Sequence, residues 1–541
     1  MTTLNTTNPE CMEYQNADLH ISVMGGVKLN GLDRLRVTLK VEHCNQAIRH
    51  NLDLYNDTQL LKFTRKVAER LEIGTSIITE VLNELTTALE NYRLEQLDIK
   101  KAEAPTKKAL TEEERKAAES FLKQKNLLGL TNETIGKSGM IGEENNRLLM
   151  YLIFTSRKRE QPLHIVSLGA SGTGKTHLQE KIGELIPEED TLSVTSLSEN
   201  SFYYFGRNEL QHKLILIEDL DGAEGALYPL REIQSKKRIS KTIARKNAQG
   251  ETRTINLTVE GPVSVAGCTT KESIYEDNAN RSFLIYLDES PEQDERIMNY
   301  QRAVSAGQIE SESERQAKEL LQNCQRVLSP IAVRNPYAPQ LKIPKEVFKA
   351  RRSNAHYLQF IEAITFYHQY QREQKVNEAT GEIFIETTLE DIAAANKLLK
   401  PILLRKSDNL TGACRNYFEK LKLYLINRKE SETDFTNKEI REKFRIAGTT
   451  LRRYHNELKE NGYLTIKSGK PQTGYTYEIV SCEEYKNLQS SIDNVLDQQL
   501  ETLRNKTVSP DTRQATKPPV SHPQNGSPKK LNNKKKEAVS H

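Results

Sequence analysis

The spacing of apolar positions changes several times along this chain of 541 residues. Between residues 20 and 41, Gly-Gly and Asn-Gly pairs separate two runs in which apolar and polar residues alternate, which predicts a small β-unit. Two stretches of helical period follow, over 57–71 and 75–97. We therefore expect a small α+β N-terminal module over residues 19–100, and we expect the polar segment 1–18 before it to be disordered.

The pattern changes again after a proline-containing charged linker at about residues 100–114. From 115 to 290, short apolar runs alternate with helical segments, and this order predicts an α/β core with a parallel sheet. A helical stretch over 291–425 is expected to form a lid and connector. Residues 433–480 show another compact pattern, and the proline- and lysine-rich segment 504–541 is expected to be a disordered basic tail.

Charge is distributed unevenly between the tail and the rest of the chain. The formal net charge is +4, but the residues from Glu501 onward carry nine Lys and Arg against three acidic residues. The preceding 500 residues therefore sum to about −2. Contact between nucleic acid and the body of the protein must then come from local basic patches, because the overall field does not attract it.

Composition also excludes several classes of protein. No apolar run approaches the length that spans a bilayer, and the polar N-terminus lacks the apolar core of a signal peptide. The six cysteines are scattered and form no C-x-x-C pair, which argues against a zinc ribbon and against a disulfide scaffold. These features predict a cytoplasmic protein that does not contact a membrane.

The segment 169–176 matches the phosphate-binding loop pattern G-x-x-x-x-G-K-[ST]. An apolar run, 163–168, predicts a strand before it, and the segment 175–186 predicts a helix after it. Glycines allow backbone N–H groups to surround phosphates, Lys175 would add a positive charge there, and the hydroxyl of Thr176 would be a ligand of Mg²⁺. The residues expected to bind ATP and its Mg²⁺ are Gly169, Ala170, Ser171, Gly172, Thr173, Gly174, Lys175 and Thr176.

Further along, an apolar run over 213–217 ends in the acidic pair Glu218-Asp219. In sites that hydrolyse nucleotides, one carboxylate holds Mg²⁺ through water and another polarises the attacking water. We favour Glu218 as the metal-binding residue and Asp219 as the base. The alternative is that the strand is offset.

The residues after these acids resemble the DNA-contacting hairpin of minichromosome-maintenance-like AAA+ helicases. Between 231 and 256 there are eight Lys or Arg against two Glu, on two β-like arms with a Gly-containing tip. In those helicases the hairpin precedes the sensor 1 strand and touches DNA phosphates in a central channel. A solvated charged hairpin is the alternative. The residues that the resemblance implies in DNA binding are Lys236, Lys237, Arg238, Lys241, Arg245 and Lys246.

Three further roles are implied by the same resemblance. Thr269, at the end of the next apolar run, would sense the γ-phosphate, although the family often has Asn there. Arg281 lies in a segment that looks like the Ser-Arg-Phe element of these helicases, so it would be an arginine finger in a neighbouring subunit's site, or else a partner in a surface salt bridge. Arg352, or Arg351, would be the lid arginine of sensor 2. An arginine finger requires a homo-oligomeric ring or filament.

Residues 140–425, about half of the chain, together resemble the ATPase part of primase-helicases encoded by bacterial mobile elements and phages. AAA+ ATPases usually have Asp-Glu where this chain has Glu218-Asp219, which puts the assignment of the two roles in doubt. No cysteine-rich primase module and no acidic topoisomerase-primase cluster precedes residue 140. We therefore expect no primer synthesis by this chain, and the expected partner is a primase or another replication protein.

The segment 433–480 resembles a winged helix-turn-helix domain. Thr436 and Asn437 are the candidate N-caps of a first helix, and Asn461-Gly462 ends a second one, before two β-like runs that join at a basic tip. The resemblance implies that the second helix enters the major groove and that the tip contacts phosphates, whereas a module used only for protein contacts is the alternative. The implied DNA-binding residues are Thr449, Thr450, Arg452, Arg453, Lys467 and Lys470, with His455 on or near the same helix.

Three functions follow from these patterns. The first is an ATP-dependent DNA motor, an oligomeric ring helicase with a hexamer favoured, in the replication of a mobile element or phage. The second is a sequence-specific DNA-binding regulator or initiator that uses ATP as an assembly switch, and the third is a helicase loader. A motor needs the basic hairpin for ATP-coupled movement, whereas a switch should hydrolyse ATP slowly and depend mainly on the winged module.

Overall fold

The structure is a computed structural model, and the chain divides into two compact units. The first unit contains Met1–Ala332, Ala363–Ile385 and Leu410–Arg428, and the second contains Val333–Glu362, Glu386–Asn409 and Lys429–His541. No helix in the described part of the chain is long and apolar enough to cross a membrane. The described residues are 3–16, 19–28, 34–44, 46–103, 108–246, 252–271, 281–428, 434–470, 474–480 and 483–508.

A five-stranded antiparallel sheet and two helices begin the first unit. Its elements are β1 (Thr3–Asn5), β2 (Cys11–Asn16), β3 (Leu19–Met24), β4 (Arg36–His43), β5 (Gln46–Asp53), α1 (Asp57–Leu71) and α2 (Thr75–Glu103). The strands pair in chain order. Apolar residues on one face of the strands pack against residues of the two helices such as Phe63, Val67 and Leu85, so alternation in the strands and helical period in the helices bury one common core.

The expectation that residues 1–18 are disordered is wrong for the described part of that segment. Residues 11–16 pair with β3 along their whole length, and residues 3–5 pair with β2. Met12 and Tyr14 alternate with polar neighbours and are both buried, and the Tyr14 hydroxyl donates a hydrogen bond of 2.7 Å to Glu84. Two apolar side chains on one face are sufficient here because the sheet and α2 already supply the rest of the core.

An α/β region follows, built around a five-stranded parallel sheet. Its elements are α3 (Glu112–Leu122), α4 (Leu127–Lys137), α5 (Glu144–Thr155), β6 (Ile165–Leu168), α6 (Lys175–Gly183), β7 (Thr191–Val194), β8 (Lys213–Ile217), α7 (Leu227–Lys236), β9 (Arg238–Lys246), β10 (Thr252–Glu260), β11 (Val263–Thr269) and β12 (Phe283–Tyr286). The sheet order is β12-β6-β11-β8-β7. Every residue of β11 is buried, as expected for a parallel strand at the centre of a sheet.

This strand order determines where a functional site can form. β11 pairs with β6 on one side and with β8 on the other, although it follows both of these strands in the chain. The carboxyl ends of β6, β11 and β8 therefore meet at one edge of the sheet, the usual ligand crevice of open α/β sheets. β9 and β10 do not join this sheet but form an antiparallel hairpin between α7 and β11.

The remaining part of the predicted helical stretch contains short strands as well as helices. Its elements are α8 (Pro291–Ser305), α9 (Ser311–Val327), β13 (Ala332–Arg334), α10 (Ala350–Tyr367), β14 (Lys375–Val376), β15 (Ile383–Glu386), α11 (Leu389–Lys406) and α12 (Gly412–Ile426). The departure from an all-helical lid is greatest at β14 and β15, which form a hairpin. Its turn contains Gly381 at a φ of 70°, a conformation that glycine adopts without strain.

The second unit contains the predicted helix-turn-helix segment and a long helix after it. Its further elements are β16 (Phe435–Thr436), α13 (Asn437–Phe444), α14 (Gly448–Glu460), β17 (Leu464–Lys470), β18 (Gly474–Ile479) and α15 (Glu483–Val508). The three strands form an antiparallel sheet in the order β16-β18-β17. Thr436 caps α13, and Glu439 completes the capping box, so the first of the two candidate N-caps is the one used.

The helix α15 extends into the segment that was expected to be a disordered tail. Leu500 and Leu503 are buried, and Asn396 of α11 donates a hydrogen bond of 3.2 Å to the carbonyl of Leu496. Lys400 of α11 also forms an ion pair of 2.8 Å with Asp497. This packing carries the helix to Val508, and the rest of the predicted tail lies outside the described residues.

Candidate functional site

The candidate phosphate loop connects β6 to α6 at the carboxyl edge of the parallel sheet. Gly172 and Gly174 have φ values of 83° and 89°, a left-handed conformation that other residues adopt only with strain. No heavy atom lies within 4 Å of a Cβ placed on Gly172, so the conformation, and not space, favours glycine there. The helix α6 begins at Lys175, and its first backbone N–H groups are available to an anion in the loop.

Lys175 lies folded against this loop. Its Nζ donates to the carbonyl oxygens of Gly169 at 2.9 Å and Ala170 at 2.5 Å. Burial lowers the pKa of Lys175, although the charges of Glu289 and Asp221 act in the opposite direction. Neutral carbonyl oxygens are weaker partners for an ammonium group than a phosphate oxygen, so an anion in the loop would compete successfully for this side chain.

The first turns of α6 are fixed to β11, which pairs with β6, and to β8, which lies beyond β11 in the sheet. Gln179 donates a hydrogen bond of 3.1 Å to the carbonyl of Ile217 at the end of β8, and the thiol of Cys268 on β11 contacts Gln179 at 3.5 Å. The hydroxyl of Thr176 interacts with the same thiol, and burial raises the pKa of Cys268 to about 11. The thiol therefore stays neutral, and it serves to position the helix.

The acidic pair follows β8, at the point where the backbone stops bonding to β7 and begins to bond to β11. The backbone N–H of half-buried Glu218 donates to Val194 on β7 at 3.1 Å, whereas Leu220 donates to the carbonyl of Cys268 on β11 at 2.9 Å. Between them, exposed Asp219 accepts a hydrogen bond of 2.8 Å from the backbone of Asp221. Glu218 and Asp219 thus have different surroundings, and their metal and base roles remain predictions.

A third acid, Asp221, accepts hydrogen bonds from the end of β11, and the sequence did not predict these contacts. One carboxylate oxygen accepts from the Thr269 hydroxyl at 2.7 Å, and the other accepts from the hydroxyl and backbone N–H of Thr270 at 2.8 and 3.2 Å. Asp221 also contributes to the electrostatic environment of Lys175, as does Glu289, which follows β12. The available signal was the acid-acid-x-acid spacing of 218–221, but spacing alone did not indicate which carboxylate faces β11.

The side chains at this edge fit a nucleotide-bound Mg²⁺. No group of three or more His, Cys, Asp or Glu able to hold a metal occurs among the described residues. Mg²⁺ bound together with a nucleotide uses only one or two protein ligands, and phosphates and water supply the rest. The Thr176 hydroxyl and one carboxylate after β8, for which Glu218 is the prediction, are ligands of the required kind.

Arg281, the predicted arginine finger, lies just before β12. Its Nε donates to the Ser235 hydroxyl on α7 at 2.7 Å, within the same chain. The side chain is half-buried, and its charge contributes, after burial, to the lowered pKa of His164. Action on a neighbouring subunit would require exchange of the Ser235 contact, and this role remains a prediction.

The basic residues predicted to contact DNA lie on α7 and on the hairpin of β9 and β10. Lys236 is largely exposed and forms an ion pair of 2.5 Å with Glu232, while Lys237 adopts a φ of 55° at the end of α7. Arg238 is exposed and pairs in register with Glu260 at the base of the hairpin. Lys241 donates to Asn200 at 2.5 Å. Arg245 and Lys246 belong to β9, but their side chains lie outside the described part.

In the segment 434–480, the second helix presents a basic exposed side and a buried aromatic side. Thr449, Arg452 and Arg453 are exposed, and Thr450 is half-buried. The sequence placed His455 on or near the DNA-facing helix, but the structure buries it between Phe435 and Tyr477, at centroid distances of 5.8 and 4.7 Å. Of the two wing lysines, Lys467 forms an ion pair of 3.1 Å with Asp434, and Lys470 is exposed on β17.

The residues predicted for sensor 2 lie in the first turn of α10, in the second unit, whereas the phosphate loop belongs to the first. Arg351 and Arg352 are both exposed. Within the second unit, burial and the charge of Arg352 lower the pKa of Lys406 to about 8. The sensor role of Arg352 remains a prediction.

Comparison with known proteins supports the nucleotide-binding core. A family model described as the MTBMA_p00010 P-loop domain matches residues 112–330, which is less than half of the chain. Residues 112–330 therefore form a P-loop domain, and domains of this kind bind nucleotides, typically with Mg²⁺. The expected α/β fold with a P-loop core is confirmed to this extent.

The other comparisons add little to this assignment. None of the curated proteins compared with the chain matches it. A crystal structure of a full-length MCM homolog from Methanopyrus kandleri is 12% identical and aligns over 74% of this chain and 75% of its own, with a TM-score of 0.31. At that score the likeness establishes no common fold, and no residue role is transferred from it.

Proposed function

We propose that this chain is an ATP-dependent DNA motor, a helicase whose subunits assemble into a ring, with a hexamer favoured. One observation carries the proposal. The basic hairpin of β9 and β10 is inserted between α7 and β11, that is, between the acids that follow β8 and the strand that ends in Thr269. A change at the nucleotide would therefore reach the hairpin through elements that are continuous with it in the chain.

In this proposal, each residue of the site has a separate role in ATP hydrolysis. The loop 169–176 and the first turn of α6 hold the phosphates, and Lys175 exchanges its two carbonyl partners for a phosphate oxygen. Thr176 and Glu218 would hold Mg²⁺, which would supply neutralising charge at the phosphates when the nucleotide is bound. Asp219 orients the attacking water, and Arg281 of one subunit stabilises the transferring phosphoryl group in the next.

Thr269 connects hydrolysis to the hairpin in this proposal. Its hydroxyl already donates to Asp221, so a γ-phosphate would be an additional partner for the polar groups at the end of β11. The basic residues of the hairpin would follow the phosphate backbone of DNA and carry no sequence information. The best setting for such a motor is the replication of a mobile element or phage in the cytoplasm, with a primase as partner.

A sequence-specific regulator that uses ATP as an assembly switch is the second candidate. It is favoured by the exposed Arg452 and Arg453 on α14, the second helix of a helix-turn-helix arrangement. Such a helix can read bases in the major groove. A regulator would use the hairpin little, and its ATP hydrolysis would be slow and independent of DNA.

ATP hydrolysis measured with no DNA, with single-stranded DNA and with duplex DNA tests the proposal, together with the mass of the assembly in ATP. The motor requires stimulation by DNA and a closed oligomer. Lys175→Ala is the control, because it removes the charge at the phosphates but no apolar side chain of the core, and it should abolish hydrolysis while the protein stays folded. Hydrolysis that DNA does not stimulate would favour the regulator, and wild-type rates in Lys175→Ala would move the active site elsewhere.

A further inference from the structure

Two strongly exposed tyrosines lie beside the basic hairpin, and the proposed function leaves both unused. Tyr204 is the last residue of the short 3-10 helix Ser201–Tyr204 and is 74% exposed. Tyr228, in the first turn of α7, is 62% exposed. Phe202, two residues before Tyr204, is fully buried and anchors the 3-10 helix in the core of the P-loop domain. The ring of Tyr204 is therefore presented to solvent from a fixed support.

A third tyrosine and a lysine join these rings to the hairpin. The 3-10 helix packs against both β9 and β10. The Nζ of Lys241 on β9 lies 5.4 Å from the ring centroid of Tyr203, a cation–π distance. α7, which carries Tyr228, packs against the same strand β9. Burial raises the pKa of Tyr203, and Tyr228 acts on it in the same direction. Tyr203 and Tyr228 thus lie on elements that pack against the hairpin, and Tyr204 follows Tyr203 on the same 3-10 helix. These three tyrosines and the hairpin are named here the tyrosine platform.

The charges around the tyrosine platform have both signs. Lys236, near Tyr228, is paired with Glu232, and Glu199 and Glu232 both act on Tyr203. A surface of this kind is a poor site for a small anion. It suits a ligand that offers flat rings to the tyrosines and a phosphate chain to the lysines of the hairpin.

We infer that Tyr204 and Tyr228 stack on the bases of single-stranded DNA, whose backbone follows Lys241 and the basic end of α7. Bases in a duplex are stacked on each other and cannot offer their faces, whereas those of a single strand can. Stacking on an aromatic side chain tolerates any base and adds about tenfold or more to affinity per ring. The inference rests on the proposed function, and it specifies the DNA beside the hairpin as single-stranded.

The test compares two oligonucleotides of equal length, oligo-dT and an abasic strand with the same backbone. Binding to the full-length protein with a non-hydrolysable ATP analogue is followed by fluorescence anisotropy at several salt concentrations. Tyr204→Ala and Tyr228→Ala should each weaken oligo-dT binding about tenfold, with little effect on the abasic strand and an unchanged salt slope. Tyr204→Phe and Tyr228→Phe keep the rings and should bind like the wild type. Tyr55→Ala, which removes a partly exposed ring in the N-terminal module, is the matched control.

Each alternative outcome counts against a defined part of the inference. Equal losses on both strands would mean that the tyrosines support the fold or contact the backbone, and unchanged oligo-dT binding in the double Ala variant would exclude stacking. If Lys236→Ala and Lys241→Ala reduce binding while the tyrosine variants do not, the inference of base stacking on the tyrosine platform is wrong. The proposed DNA motor is not contradicted by that result. A wild-type protein that binds neither strand nor duplex overturns both proposals.

Discussion

At the scale of single residues, Glu218 and Asp219, the two acids directly after β8, differ in their surroundings. Glu218 is half-buried and continues the pairing with β7, whereas Asp219 is exposed and accepts from the backbone of Asp221. An exposed carboxylate is free to reorient towards water, and a half-buried one is better fixed for a metal. On this contrast we propose metal binding for Glu218 and the base role for Asp219.

We expect Asp219→Asn to bind ATP normally but to stop turnover, because it removes the group that polarises water and leaves the phosphate contacts in place. Glu218→Gln should instead weaken binding that depends on Mg²⁺. Titration of a fluorescent ATP analogue with and without Mg²⁺, combined with steady-state hydrolysis, separates the two effects. Exchanged phenotypes would show that the roles in this pair are reversed.

Asp221 holds Thr269 and Thr270 through both carboxylate oxygens, and an amide can accept on only one side. Asp221→Asn should therefore misplace the Thr269 hydroxyl and lower kcat about 100-fold, with ATP binding kept. Thr269→Val should give the same loss, Thr269→Ser should be nearly normal, and the double variant Asp221→Asn with Thr269→Val should be no worse than either single one. Additive losses would mean that Asp221 acts separately from Thr269.

At the scale of elements, the hairpin and the segment 434–480 are expected to carry different parts of DNA binding. Replacing Lys236, Lys237, Arg245 and Lys246 by Ala should remove DNA stimulation of hydrolysis and flatten the salt dependence of binding, by a slope of roughly one per lost phosphate contact. Replacing Arg452 and Arg453 by Ala should reduce site preference but keep the stimulation. A hairpin variant that keeps full stimulation and the same salt slope would favour the regulator.

Because His455 is buried, we expect the free energy of unfolding of the segment 434–480 to depend on pH. Burial, and to a smaller extent the charge of Lys459, lowers the pKa of His455 to about 4. The unfolded chain takes up a proton below its ordinary pKa of about 6.5, whereas the folded module does so only near 4. Stability is therefore full above about pH 6.5 and falls as the pH drops towards 4, by about 2 kcal/mol at pH 5.

Hydrogen exchange of peptides from α14, corrected for the intrinsic rate, measures this loss between pH 7 and pH 5. His455→Phe fills the same aromatic cluster with Phe435 and Tyr477 and cannot be protonated, so its protection should be the same at both pH values. Equal loss of protection in wild type and variant would assign the effect to another group.

At the scale of the whole molecule, assembly decides whether Arg281 is catalytic. Arg281→Ala should abolish hydrolysis but keep ATP binding, and mixing it with Lys175→Ala should restore part of the activity, because each subunit supplies what its neighbour lacks. Activity is measured over a range of mixing ratios, with the mass of the mixed assembly as control. Mixed oligomers without any recovery would show that the site is complete within one chain.

The sequence by itself determined the features that depend on short stretches of chain. The loop 169–176 was recognisable because phosphate binding needs a fixed spacing of Gly, Lys and Thr, and residues 112–330 do match a P-loop domain. The helix predicted over 57–71 has these bounds in the structure, because its amphipathic period is a local signal. The fold class of the core followed from the alternation of strands and helices.

Only the tertiary structure decided which residues meet across long separations in the chain. Strand order places β11 between β6 and β8, and this brings Asp221 to Thr269, although the spacing gave no reason to choose that acid. Burial against Phe435 and Tyr477 turned His455 inward, because helical spacing defines a face but not what covers it. Residues 11–16 became a strand because a neighbouring strand and α2 were available to cover Met12 and Tyr14, and a polar local composition cannot reveal such partners.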